Sequence, residues 1–214
     1  MNATEKIKLK VCGMRDAGNI LEIAALSPDY MGFIFYEKSP RFVGADFVIP
    51  AELNPMIRRV GVFVKAGVSA IENALQRHRL DVIQLHGGEA VDVVQEVKSL
   101  GVEVWKVFSV DEQFDFAATL EYEGVADRFL FDSKGKYYGG NAVAFDWNKL
   151  NEYHQRHSFL LSGGLTVENV GGVSSIAAMN LHGIDINSGA EIKPGLKDPQ
   201  KVKSFIDTIY RQEK

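Results

Sequence analysis

The stretch "RRVGVFVKAGVSAIENALQRHRLDVIQLHG", Arg58 to Gly87, reads as a strand, a helix and a second strand in direct succession. Its runs "VGVFV" and "DVIQL" are short and rich in Val and Ile, and "VGVFV", like "FLLS" further on, is apolar on both faces, as parallel strands covered by helices are. Between them "SAIENALQRHR" opens with Ser69 and carries Glu72 three residues on, a spacing that predicts a capping box with Ser69 as N-cap.

The same alternation extends in both directions. Toward the N-terminus, "KLKVCGM" is strand-like and "RDAGNILEIAAL" has helical spacing at Ile20, Ile23, Ala24 and Leu26. "YMGFIFY" follows, then the loop "EKSPRFV" and a weaker helical stretch through Ala51 and Leu53, bracketed by Pro50 and Pro55. Toward the C-terminus, the strands "VEVWKVFSV", "DRFLFDS", "SFLLSGG" and "GIDINSG" alternate with helical patterns in "EAVDVVQEVKSL", "FDFAATLEYEG", "FDWNKLNEYHQR" and "TVENVGGVSSIAA". A last helix in "DPQKVKSFIDTIYRQ" has Asp198 as N-cap and Pro199 at its first position. Eight β-α units of about 27 residues each predict one α/β domain over residues 1–214, a single (β/α)8 TIM barrel. An open doubly wound sheet is the alternative, and it usually needs only about five to seven strands.

Composition narrows the partners. Of the 214 residues 46% are hydrophobic and 24% charged, and the formal net charge is −4, which leaves no basic footprint for nucleic acid. No apolar run approaches the length of a membrane helix, and no signal-peptide profile opens the chain, so no membrane partner is expected. A single cysteine fits a reducing compartment, and the expected location is the cytoplasm. A monomer and a homodimer both remain open.

A barrel places its chemistry at the C-terminal strand ends. Four ends stand out. Small residues follow strands seven and eight in "SGGLTVENV" and "INSGAEIKPG"; there Gly163, Gly164, Ser188 and Gly189 let backbone N–H groups approach a phosphate, or merely make tight turns. Asp132 in "FLFDSKG" caps its loop or pairs with a lysine on one reading. On the other it is a general acid or base, because partial burial raises a carboxyl's pKa toward working pH. Arg41 in "EKSPRFVG" is presented from a loop stiffened by Pro40, as a surface residue or as a fork for a carboxylate or phosphate.

Cys12 in "KVCGMR" is either core packing or a thiolate, and the sequence shows no activator beside it. His86 either contacts a ligand or anchors the loop "GGE". His154 and His157 share a polar helix without a third ligand, so no metal site is expected. Lys106, placed at the end of strand five, would form a Schiff base if it pointed inward.

Taken in order, "KVCGMR", "GFIFYEKSPRFV", "VGVFV", "IQLHGGE", "FLFDSKG", "GGNAVAFDW", "LSGGLTVENV" and "GIDINSGAEIKPGLKD" resemble the signature segments of the phosphoribosylanthranilate isomerase family. The resemblance runs from about Lys8 to Val202. It implies an Amadori rearrangement of a phosphosugar-anthranilate substrate in tryptophan biosynthesis, without cofactor or metal. It further implies Cys12 as general base, Asp132 as general acid and Arg41 on the anthranilate carboxylate. Gly163, Gly164, Ser188 and Gly189 would hold the phosphate, and Asp185 would belong to the substrate pocket with His86. The chain departs from the family pattern at Asn141 and Ala142, where threonine and glycine are usual, and at Asn187, where serine is more frequent.

Three rivals make different demands. An indole-glycerol-phosphate synthase would use a lysine acid and a glutamate base, and only Lys106 is on offer. A dual histidine/tryptophan isomerase would pair aspartates on strands one and six, but Cys12 occupies the first place. A non-catalytic phosphosugar-binding protein would keep Gly164 and Ser188 and have no need of both Cys12 and Asp132.

Overall fold

The computed structural model describes residues 6–133 and 146–211. The departures at Asn141 and Ala142 lie outside the described residues. Eight parallel strands close on themselves in chain order: β1 (Lys8–Val11), β2 (Tyr30–Ile34), β3 (Arg58–Phe63), β4 (Val82–Leu85), β5 (Glu103–Val110), β6 (Arg128–Ser133), β7 (Phe159–Ser162) and β8 (Leu181–Ile186). The expected (β/α)8 barrel is therefore observed. Closure comes from β1 pairing with β8 in the register Lys10↔Asp185 and Val11↔Ile186. A two-stranded ribbon, β9 (Glu191–Lys193) and β10 (Leu196–Lys197), follows the last barrel strand.

Four connections are α-helical: α1 (Ala17–Ala24), α2 (Val68–His78), α3 (Val91–Lys98) and α4 (Pro199–Arg211). Asp16 caps α1 by accepting from Asn19 N–H at 2.9 Å, and Asp198 does the same for α4 from Gln200 N–H at 2.8 Å. The capping box expected at Ser69 does not form. Val68 is already helical, so the N-cap is Gly67, without a side-chain cap, and Ser69 lies inside the first turn. The helices expected after the fifth, sixth and seventh strands are 3₁₀ segments, Phe116–Tyr122, Trp147–Glu152 and Val170–Ile176. Each is only two turns or so, and Gly171 and Gly172 in the last disfavour a regular helix. No helix forms through Ala51 and Leu53, where the prolines leave only turns.

The pleat divides the side chains into two cores. Leu9, Val11, Phe33, Phe63, Phe129 and Phe131 face outward to the helices, while Val60, Trp105, Val107, Leu130 and Leu160 fill the barrel interior. At the bottom of the barrel Glu103 accepts from Arg58 at 2.6 Å, from the Trp105 indole at 2.7 Å and from Arg128. Beside it the Tyr30 hydroxyl stands 2.8 Å from His182 Nε2. Burial, aided by the Arg128 charge, lowers the His182 pKa from 6.5 to about 4. The folded state thus binds a proton here less readily than the unfolded chain, so stability is lost as pH falls from 6.5 toward 4. Urea unfolding between these limits should show that loss, and His182→Gln should make it shallower; an unchanged pH slope in the variant would contradict the assignment.

Among the described residues no helix is long and apolar enough to cross a membrane.

Candidate active site

Period-two alternation in β1 sends Lys8, Lys10 and Cys12 to one side of the strand and Leu9 and Val11 to the other. Cys12 continues the β1–β8 pairing one residue past the strand, its N–H donating to the Ile186 carbonyl at 2.9 Å. Its thiol packs with Ile34, Val62 and Tyr36 at the top of the interior and is only 4% exposed. Asp132 in β6, His86 just after β4 and Asp185 in β8 line the same cleft at the barrel mouth as Cys12.

Asp132 is half-buried, and its Oδ2 lies 3.2 Å from His86 Nε2. Gln84 Nε2 approaches the other ring nitrogen at 3.4 Å. With the Gln84 amide donating to Nδ1, the His86 Nε2–H is the donor toward Asp132 Oδ2, so the imidazole fixes the orientation of this carboxyl.

Gly163, Gly164, Ser188 and Gly189 line this same cleft. Gly163 has φ +84°, and a Cβ on it would stand 2.3 Å from the Ser133 amide nitrogen. A Cβ on Gly189 would lie 2.0 Å from the Leu165 carbonyl oxygen, so the turns after β7 and β8 touch each other and only glycine fits. Asn169 braces the first turn, accepting from Thr166 N–H at 2.9 Å and donating to the Gly164 carbonyl at 2.8 Å.

Arg41 stands outside the residues lining the cleft. It is buried, with Nε and Nη2 donating bidentately to Glu191 at 2.8 and 2.7 Å, and its backbone N–H donates to the hydroxyl of Ser39, which does line the cleft. Glu191 also accepts from Lys197 Nζ at 2.7 Å and from Gly195 N–H at 3.0 Å. Burial lowers the Lys197 pKa to about 8 against the pull of Glu191. Burial alone would raise the Glu191 carboxyl, but Arg41 and Lys197 outweigh it and hold it low.

Deeper in the interior, Lys10 Nζ donates to Asp185 Oδ2 at 2.8 Å, and the lysine is fully buried. Burial works against its ammonium, yet Asp185 and Cys12 hold its pKa above the usual value. Burial pushes the Cys12 thiol up; Lys10 opposes this, Asp185 reinforces it, and Lys197 opposes it more weakly.

The sequence reading missed Lys10, Glu191 and Lys197. Lys10 carried a signal: it is in phase with Cys12 on the inward face of a strand, where a charge requires a partner. Glu191 and Lys197 carried none, because their partners come from the ribbon and the loop of Arg41. Lys106 needs correcting. It lies mid-strand in β5 and points outward, above the rings of Phe108 and Tyr122 and 3.4 Å from Glu89, so it cannot act in this cleft. His154 faces Glu123 at 3.1 Å, and no cluster able to hold a metal ion occurs among the described residues.

Residues 9–208 match the family model described as N-(5'-phosphoribosyl)anthranilate (PRA) isomerase. An N-(5'-phosphoribosyl)anthranilate isomerase of Parabacteroides distasonis is 42% identical, over 94% of this chain and 92% of its own length. The crystal structure of phosphoribosyl anthranilate isomerase from Thermotoga maritima superposes with a TM-score of 0.83 at 31% identity, covering 96% of this chain and 99% of that one. A phosphoribosyl anthranilate isomerase in complex with reduced 1-(o-carboxyphenylamino)-1-deoxyribulose 5-phosphate superposes at 0.79 with 29% identity, covering 96% and 99%.

Proposed function

The chain belongs to the N-(5'-phosphoribosyl)anthranilate isomerase family, and from that premise we propose that Cys12 and Asp132 are the base and acid of its reaction. The activity is the Amadori rearrangement of N-(5'-phosphoribosyl)anthranilate to 1-(2-carboxyphenylamino)-1-deoxyribulose 5-phosphate in tryptophan biosynthesis. The observation that carries the residue assignment is a single cleft lined by a thiol, a carboxyl and two glycine turns.

The chemistry asks for these groups in a definite order. Asp132 in its acid form delivers a proton to the ring oxygen as the C1'–O bond breaks, leaving an iminium at C1'. The iminium acidifies the C2' proton, which the Cys12 thiolate removes to give an enol-amine. Loss of the 2'-hydroxyl proton and protonation at C1' then produce the ketone. In sum, two protons leave C2' and its hydroxyl, and two arrive at the ring oxygen and C1', so the step is an isomerisation with no external oxidant.

Gly163, Gly164, Ser188 and Gly189 hold the 5'-phosphate in this reading, through backbone N–H groups of two turns whose close packing leaves no room for a Cβ at Gly163 or Gly189. His86 keeps Asp132 aimed, and Asp185 faces the sugar with Oδ1, a buried acceptor without a partner among the described residues. Arg41, whose guanidinium Glu191 holds fixed and whose backbone N–H is bound to Ser39 of the cleft lining, takes the anthranilate carboxylate in this reading. The reading takes residues 1–214 as one barrel domain working in the cytoplasm, a setting supported by a free Cys12 thiol.

Purified protein added to freshly made phosphoribosylanthranilate should accelerate the loss of substrate fluorescence well above the uncatalysed decay. A rate at background would refute the isomerase assignment.

A further inference from the structure

The two-proton scheme needs a thiolate at a place where burial disfavours one. The barrel interior supplies a counter-charge. A Cβ built on Gly32 would lie 2.7 Å from Cys12 Sγ and 3.0 Å from Lys10 Nζ, so sulfur and ammonium converge on the space that this glycine leaves empty. Cys12 and Lys10 leave β1 on the same face, and closure of the barrel sets Lys10 directly across from Asp185. The three side chains form one buried row, 0%, 4% and 5% exposed for Lys10, Cys12 and Asp185.

We propose that Lys10 is the positioning residue that stabilises Cys12 as a thiolate, and that Asp185 restrains it by sharing the same ammonium. The proposal rests on the reading of Cys12 as the base. When the thiol proton leaves to water, Lys10 Nζ lies between two anions, Sγ and the Asp185 carboxylate. An ammonium in a low-dielectric interior favours the nearby anion far more than it would in water. The other charges facing this point come from separate elements. Lys197 of β10 is engaged by Glu191 and Asn187, Arg41 packs its Cδ against Gly13 and is bound to Glu191, and Asp132 is paired with His86. Lys10 is therefore the cation with the least competition apart from Asp185. Gly32 is required for the approach, since any larger residue would displace the sulfur or the ammonium.

Because Cys12 is the only cysteine in the chain, alkylation by iodoacetamide, followed by mass against pH, reports on this sulfur alone. In Lys10→Met the alkylation rate at neutral pH should fall at least ~10-fold and its midpoint should move to higher pH. In Asp185→Asn the midpoint should move the opposite way, because the ammonium is no longer shared with a carboxylate. Lys10→Arg should restore most of the wild-type behaviour. A structural role for the pair would push both variants in one direction or neither.

A Lys10→Met profile that overlays the wild type would overturn the proposal, and so would an Asp185→Asn midpoint that stays or rises. Should Lys10→Met fail to fold by circular dichroism, Asp185→Asn and Lys10→Arg still decide the matter. Isomerase turnover is measured on the same wild-type sample. Loss of that activity would remove the functional reading while leaving the alkylation result intact, and an unshifted alkylation midpoint beside full turnover would remove only the role of Lys10.

Discussion

Replacing Asp132 by asparagine is expected to lower kcat/KM for phosphoribosylanthranilate by about 10²–10⁴-fold, the usual worth of a positioned general acid. Asparagine keeps the size of the side chain and can still meet His86 Nε2, which now lies 3.2 Å from the carboxylate. What it cannot do is hand a proton to the ring oxygen. The defect should therefore appear in kcat, with the melting temperature close to wild type. Turnover followed by fluorescence loss checks it, and a variant within a few-fold of wild type would transfer the acid role to another group.

Cys12→Ser should cost a similar ~10²–10⁴-fold, for the complementary reason. A hydroxyl is a far weaker carbon base than a thiolate, and raising the pH within the stable range cannot ionise it. Serine is no larger than cysteine, so the site, where Cys12 packs with Ile34, Val62 and Tyr36, tolerates the change sterically. The diagnostic is the pH profile. Wild type should gain kcat/KM with pH as the thiol ionises, whereas Cys12→Ser should be flat over that limb. A serine variant that retains both the rate and the limb would mean that another group takes the C2' proton.

Much of this architecture was legible in the sequence because parallel strands buried on both faces leave long apolar runs that need few assumptions. All eight strands overlap the stretches "KLKVCGM", "YMGFIFY", "RRVGVFV" and their successors, with ends that differ by a few residues. The connections were harder. The patterns at Phe116–Tyr122 and Val170–Ile176 have helical spacing, but packing on the barrel can be satisfied by a short 3₁₀ turn, and periodicity over seven residues does not separate the two. The capping box at Ser69 failed for a related reason. Its residue types were right, but the chain had already entered the helix at Val68.

At the site, the strand-end rule located Cys12, His86, Asp132 and the paired glycine turns, and all of them line one cleft. Arg41 was legible as a cation on a stiff loop, but its engagement by Glu191, 150 residues away in the chain, was not. Lys106 was placed at the end of strand five, whereas it lies mid-strand, and its direction stayed open until the strand phase showed Trp105 and Val107 in the inward positions beside it.

By itself the sequence determined the order of the strands, the alternation that turns Lys10 and Cys12 to one side, and the small residues that leave room for an anion. These are local properties, set by pleat geometry and by the volume of each side chain. Only the tertiary structure decided what surrounds the thiol. Lys10 and Asp185 are 175 residues apart and meet at 2.8 Å because the first strand closes on the eighth. The electrostatics of Cys12 depend on that closure, since a charge acts through space and burial rather than along the chain.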